Sequence, residues 1–308
     1  LAYLDGVNAK PAILAFLWFT TGLVLGLEPD NDPLLIVARG RRAQQEGKTA
    51  DAEKLYRRAL ELQPYSAEAH QYLGLLLLPG TNKEEAVRHL ATVLALRPKA
   101  VEVRVSIAES LAGIGYLKDA EGLLRDTLRL QRDYTPALRQ LLRVQFALGR
   151  KEEAAQTYRA LVKLDERNPQ LRYDYAQFLL QLNRLDEAAS ELREAVRLQA
   201  RFPAAYYQLG LIAGLQGQPA KAIEFYQQAV FWDDSLAEAY NNLGVAYLNL
   251  QQEKEAVAMF DKARASFGRR GDSNQVARLA QLLQTLDPQG VLGSGPAKAN
   301  TFRMPRSP

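Results

Sequence analysis

The sequence predicts an all-α solenoid behind an apolar N-terminal helix long enough to cross a membrane. Three observations lead there. From residue 33 to residue 270 the chain repeats itself every 34 residues without a gap. Within each repeat, apolar residues recur at spacings of three and four, the stripe of an amphipathic helix, and no stretch sustains the alternation of a half-buried strand. Ahead of the repeats stands "PAILAFLWFTTGLVLGL", residues 11–27, with no charged side chain.

The apolar run comes first in the chain. As a helix, 17 residues span about 26 Å, the short limit for crossing a bilayer. Lys10 precedes the run, and Glu28, Asp30 and Asp32 close it. Three readings compete: a retained anchor, a cleavable secretion signal with "VLG" as a weak small-residue site, and a helix buried in the solenoid. The run is apolar on every side, which disfavours the third. The anchor is the favoured reading, and residues 1–32 are assigned to it and a short linker. Gly22 and Gly26 form a G-x-x-x-G face suited to close packing against another membrane helix. Sidedness is divided: Lys10 before "EPDND" places the repeats outside the cytoplasm, whereas Arg39, Arg41 and Arg42 argue the reverse. The periplasmic or extracytoplasmic side of a bacterial membrane is favoured, with the cytoplasmic side as the alternative.

Seven repeats follow, at 33–66, 67–100, 101–134, 135–168, 169–202, 203–236 and 237–270, each read as two helices. In the last, Tyr240, Leu243, Gly244 and Tyr247 share a face of the first helix, and Ala256, Phe260 and Ala263 a face of the second. Gly74, Gly210 and Gly244 occupy equivalent places where two helices must approach closely, and Ala108 and Ala176 serve there with one methyl more. Leu142 at that place predicts a splayed pair. One second-helix alanine recurs in every repeat: Ala52, Ala86, Ala120, Ala154, Ala188, Ala222 and Ala256. Gly47, Gly115, Gly149 and Gly217 suit the turns between helices. Beyond the repeats, residues 271–290 hold one more amphipathic helix, with Val276, Leu279, Leu282, Leu283 and Leu286 on its apolar face, which caps the open end of the stack. Residues 291–308 are a Gly/Pro-rich basic tail.

Composition removes several kinds of chemistry. The chain lacks cysteine, so thiol nucleophiles, disulfides and cysteine zinc sites are excluded. Its two histidines are His70, read as buried, and His89, read as solvated on the outer side of the next helix; their spacing offers no metal-ligand pattern. The glycines at 290, 293 and 295 follow no strand and open no helix, unlike a phosphate cradle. No nucleophile stands with a base. The net charge of +4 is spread over the repeats, too dilute for a nucleic-acid stripe. The expectation is a protein that is not an enzyme, with no cofactor, metal, nucleic acid or small-molecule substrate.

The Leu-Gly-x-x-Tyr of "LGVAY", the later alanine, the aromatic four residues on and the alanine three beyond that resemble the tetratricopeptide repeat family over residues 33–270. The usual first-helix tryptophan is missing, replaced by Tyr206 and Tyr240 in some repeats and Arg104 and Arg172 in others. The resemblance implies a right-handed superhelix whose first helices line a concave, protein-binding face. Position then assigns a groove. The fifth place of successive repeats holds Val37, Gln71, Val105, Arg139, Tyr173, Tyr207 and Asn241, and the sixth place of the last five holds Ser106, Gln140, Asp174, Gln208 and Asn242. This ladder suits the backbone of an extended peptide, with Tyr173 and Tyr207 against its side chains; the same residues equally suit a merely solvated face. Arg139 and Arg143 favour an acidic ligand. The lysine and asparagine set by which some relatives clamp a C-terminal carboxylate is absent.

The expected function is a membrane-anchored scaffold mediating protein–protein interaction, as accessory subunit or assembly factor of a membrane protein complex whose integral subunits are its partners. The alternative is a tethered or secreted adaptor that captures extended, acidic segments.

Overall fold

The computed structural model describes residues 31–292, and among them every regular element is an α-helix. The apolar run 11–27, with Gly22 and Gly26, and the tail beyond residue 292 lie outside the described residues. Among the described residues no helix is long and apolar enough to cross a membrane.

The chain divides into two compact units. Unit 1 ends at Leu164. It contains α1 (Pro33–Gln45), α2 (Thr49–Leu62), α3 (Ala67–Leu77), α4 (Lys83–Leu96), α5 (Val101–Gly113), α6 (Leu117–Leu130), α7 (Thr135–Ala147) and α8 (Lys151–Leu164). Unit 2 begins at Asp165 and contains α9 (Pro169–Gln181), α10 (Leu185–Leu198), α11 (Pro203–Leu215), α12 (Pro219–Trp232), α13 (Ala237–Asn249), α14 (Glu253–Arg269) and α15 (Ser273–Leu286). First helices thus begin at 33, 67 and 101, and so on to 237, in step with the sequence period.

Local chemistry fixes several starts. The side chains of Asp32, Ser66, Asn168 and Asp272 each accept a backbone N–H of the first turn, at α1, α3, α9 and α15. Proline opens α1, α9, α11 and α12, where its missing N–H costs nothing.

Within each pair, small residues set the approach. The seven recurrent alanines are at most 1% exposed. A Cβ added to Gly74 would stand 2.8 Å from the Leu90 side chain, and one on Gly244 2.7 Å from the Phe260 ring. Gly40 belongs to the same set, 2.5 Å from the Tyr56 ring. Leu142 is buried at the equivalent place, and α7 and α8 pack less closely than the glycine-containing pairs.

The turn glycines Gly47, Gly115, Gly149 and Gly217 have φ between +68° and +89°. Asn183 and Gln251 hold the same turn position at φ 57° and 58°. Asparagine tolerates this left-handed backbone, whereas glutamine gains nothing there. Gln251→Gly is therefore expected to stabilise the protein by about 0.5–1 kcal/mol, read as a higher urea midpoint; an unchanged or lower midpoint would show that the turn carries no strain.

The second repeat departs from this plan. Pro79 follows the last turn of α3, which has 11 residues where the other first helices have 13. Next to it α4 packs only loosely on α5, and a cavity of about 780 Å3 opens between α4 and the α5–α6 pair. Its floor is aliphatic, with Leu78, Leu90, Ile107 and Leu111, and its rim carries both signs, with Lys83, Arg88, Glu84 and Asp119.

Candidate functional site

The ladder falls partly in each unit. In unit 1, Ser106 and Gln140 are half-buried on α5 and α7, and the Ser106 carbonyl accepts the Ser110 hydroxyl at 3.1 Å. Arg139 and Arg143 stand one turn apart on α7, both exposed, and neither forms an ion pair or hydrogen bond with a described residue. The fifth-place rule fails at Val37 and Val105, which are 3% and 8% exposed and belong to the core. A short apolar side chain at that place is covered by its neighbours, and burying it is favourable.

Unit 2 joins more of the expected residues. On α9, Tyr173 packs against the Phe202 ring at 5.0 Å, and Asp174 accepts from Gln170 Nε2 at 2.7 Å. On α11 and α13 a short polar chain forms: Asn241 Nδ2 donates to Asn242 Oδ1 at 3.4 Å, and Asn242 Nδ2 donates to the Tyr207 hydroxyl at 3.2 Å. Gln208, half-buried on α11, hydrogen-bonds instead with the Tyr173 hydroxyl of α9. Burial raises the Tyr173 and Tyr207 phenol pKa values, so both hydroxyls keep their protons at neutral pH. The Tyr207 hydroxyl accepts from Asn242, and its own proton meets no described acceptor. It is a donor available to a ligand.

His89 departs from its expected solvated setting. Its side chain is 16% exposed, and its Nδ1 lies 2.7 Å from Nδ1 of His70. His70 Nε2 faces the Pro64 carbonyl at 2.9 Å, an acceptor, so that nitrogen carries the proton. His70 Nδ1 then accepts, His89 Nδ1–H donates, and His89 Nε2 is left bare 3.6 Å from Glu85. Glu85 itself accepts from Arg57 of α2 at 2.6 Å. Among the described residues no three His, Asp or Glu side chains group as a metal site requires.

Burial first, then the His70 ring, hold the His89 pKa below the ordinary imidazole value, against the opposing pull of Glu85. The folded state therefore favours the neutral ring. This contribution is fully present above the unfolded value of about 6.5 and is lost as pH falls through it toward the lower folded value. The melting temperature should drop between about pH 7.5 and pH 5.5, and His89→Asn should flatten that slope; parallel slopes would remove His89 as the cause.

Three polar residues share a role that the repeat pattern does not announce. At the fourth place of their repeats, His70, Arg104 and Arg172 each donate to the carbonyl six residues earlier, on Pro64, Pro98 and Glu166. Each ties its first helix to the preceding turn, in the place where the sequence lacks the usual aromatic. Arg172 also pairs with Glu191 at 2.7 Å. Glu121 was also hidden: it is 3% exposed and held by Arg125 and Arg150, each at 2.9 Å.

The repeats match known families. Two models, each described as tetratricopeptide repeat, match residues 37–100 and 139–201, and residues 203–235 and 237–263, together more than half of the chain. The chain belongs to the tetratricopeptide repeat family. Proteins of this kind are generally non-catalytic and suited to protein–protein interaction. Among solved structures, the MamA protein is 22% identical and covers 57% of this chain and 96% of its own, with a TM-score of 0.49. YrrB, described as a TPR protein with an unusual peptide-binding site, is 21% identical over 57% of this chain and 91% of its own, with a TM-score of 0.48. PilF of Pseudomonas aeruginosa is 19% identical over 64% and 96%, with a TM-score of 0.41. These are likenesses of fold. No curated protein matches the chain.

Proposed function

We propose that this tetratricopeptide repeat chain is a non-catalytic scaffold that holds an extended segment of a partner protein on the first helices of unit 2. The supporting observation is the Tyr207–Asn242–Asn241 chain. It fixes three polar side chains in place while leaving the Tyr207 hydroxyl proton for a ligand. Aligned amides and hydroxyls of this kind suit the backbone N–H and C=O groups of an extended peptide, and Tyr173 offers a ring beside them. Taken by itself, the Arg139 and Arg143 pair of unit 1 suits acidic side chains of a partner.

The second part of the proposal concerns place. The run 11–27 has the length and composition of a membrane anchor, and Gly22 and Gly26 give it a face for an integral membrane partner. On this reading the chain is an accessory subunit or assembly factor of a membrane protein complex, with its repeats on the extracytoplasmic side. Gentle detergent extraction of native membranes, followed by size separation and mass spectrometry, tests it. Co-migration with integral membrane proteins at a fixed ratio is the expected result. Recovery as a lone chain would remove the subunit reading and leave a peptide-capturing adaptor.

A further inference from the structure

We infer that unit 2 carries a second docking site, between α13 and α15, for an extended segment that presents a carboxylate flanked by aliphatic side chains. A cleft of about 390 Å3 opens there. Asn241 and Val245, one turn apart, line it from α13, and Gln275, Arg278 and Leu282 line it from α15, with Leu279 beneath. Spacings of three and four place the α15 residues on one stripe. That stripe borders the apolar face by which α15 packs on the last repeat.

The charge of the cleft selects the occupant. No Asp or Glu lines it. Arg278 is exposed and forms no ion pair or hydrogen bond with a described residue. The neighbouring arginines are all engaged: Arg264 with Asp261, Arg269 with the Ser266 hydroxyl, and Arg270 with Glu238. A guanidinium beside two amides, Asn241 and Gln275, is a receptor for a carboxylate and the adjoining peptide backbone. Val245, 44% exposed, and Leu282 give the flanking aliphatic groups a surface to cover.

This site rests on the reading of the chain as a protein-binding scaffold and shares Asn241 with the Tyr207–Asn242–Asn241 chain; Arg278, on the α15 wall, lies outside that chain, so its substitution tests this site separately. The test uses the full chain and a fluorescent synthetic segment of alternating glutamate and leucine, beside a counterpart with glutamine for glutamate. The acidic segment should bind, and both the glutamine counterpart and Arg278→Gln should weaken binding about tenfold, the worth of one charge-assisted contact. Arg264→Gln removes one equal charge elsewhere and serves as the control for net charge. Equal loss with Arg264→Gln, or full binding by Arg278→Gln, overturns the inference. So does an absence of binding up to about 1 mM. Loss that follows Arg143→Gln while Arg278→Gln is silent also overturns it, and leaves the scaffold reading standing.

Discussion

Phe260→Ala is expected to cost about 3–5 kcal/mol, a large share of the usual stability of a folded domain. Phe260 is fully buried. It packs among Ala237, Ala256, Ala263, Phe267 and Leu279, so its ring is shared by α13, α14 and α15. The alanines around it are too short to refill the space, so the variant keeps most of the cavity. In a stack of repeats the loss falls on the nearest neighbours first. Urea unfolding should show a lower midpoint, and amide exchange should accelerate in α13–α15 before it does in α9. A loss below about 1 kcal/mol, or acceleration spread evenly along unit 2, would mean that Phe260 is not the keystone of this end.

Gly210→Ala should destabilise by about 1–3 kcal/mol, although alanine is the better helix former. The added Cβ would fall inside contact distance of the Tyr226 ring. Tyr226 is 4% exposed and packed between α11, α12 and α13, so the ring has nowhere to retreat. Gly214 lies one turn further on the same helix, and its Cβ would meet only the Tyr226 hydroxyl, at 4.0 Å. Gly214→Ala should therefore stabilise by about 0.5–1 kcal/mol through helix propensity. Opposite shifts in melting temperature are the expected pattern. Shifts of the same sign would show that the Tyr226 ring does not distinguish the two positions.

The contrast between these two glycines marks what was legible in the sequence. Period and side-chain volume are local signals, and they carried the helix pairs, the recurrent alanines, the close contacts at Gly74, Gly210 and Gly244, and the looser pair at Leu142. Partners across helices are not written in one helix's own pattern. His89 looks solvated on the wheel of α4 alone, and only its meeting with His70 of α3 explains its burial. The fourth-place donors read as departures from the family pattern, because their acceptor is a turn carbonyl six residues back, whose direction depends on backbone shape. Val37 and Val105 share a register with Tyr207 and Asn241; a short apolar side chain there is covered entirely, whereas Tyr207 packs on the Tyr226 cluster and still reaches Asn242 with its hydroxyl. The stripe on α15 was legible as a packing face, while Arg278 beside it acquires meaning only once α13 supplies the opposite wall.

If the first helices of unit 2 hold an extended partner segment, that segment must lie within reach of Gln208. A photo-crosslinking residue placed at Gln208 in cells that make the protein, with another on the exposed second-helix position Glu224 as comparison, tests it directly. The probe at 208 should yield adducts to one contiguous stretch of one partner protein, and the probe at 224 should not. Adducts at 224 alone, or none at 208, would contradict it.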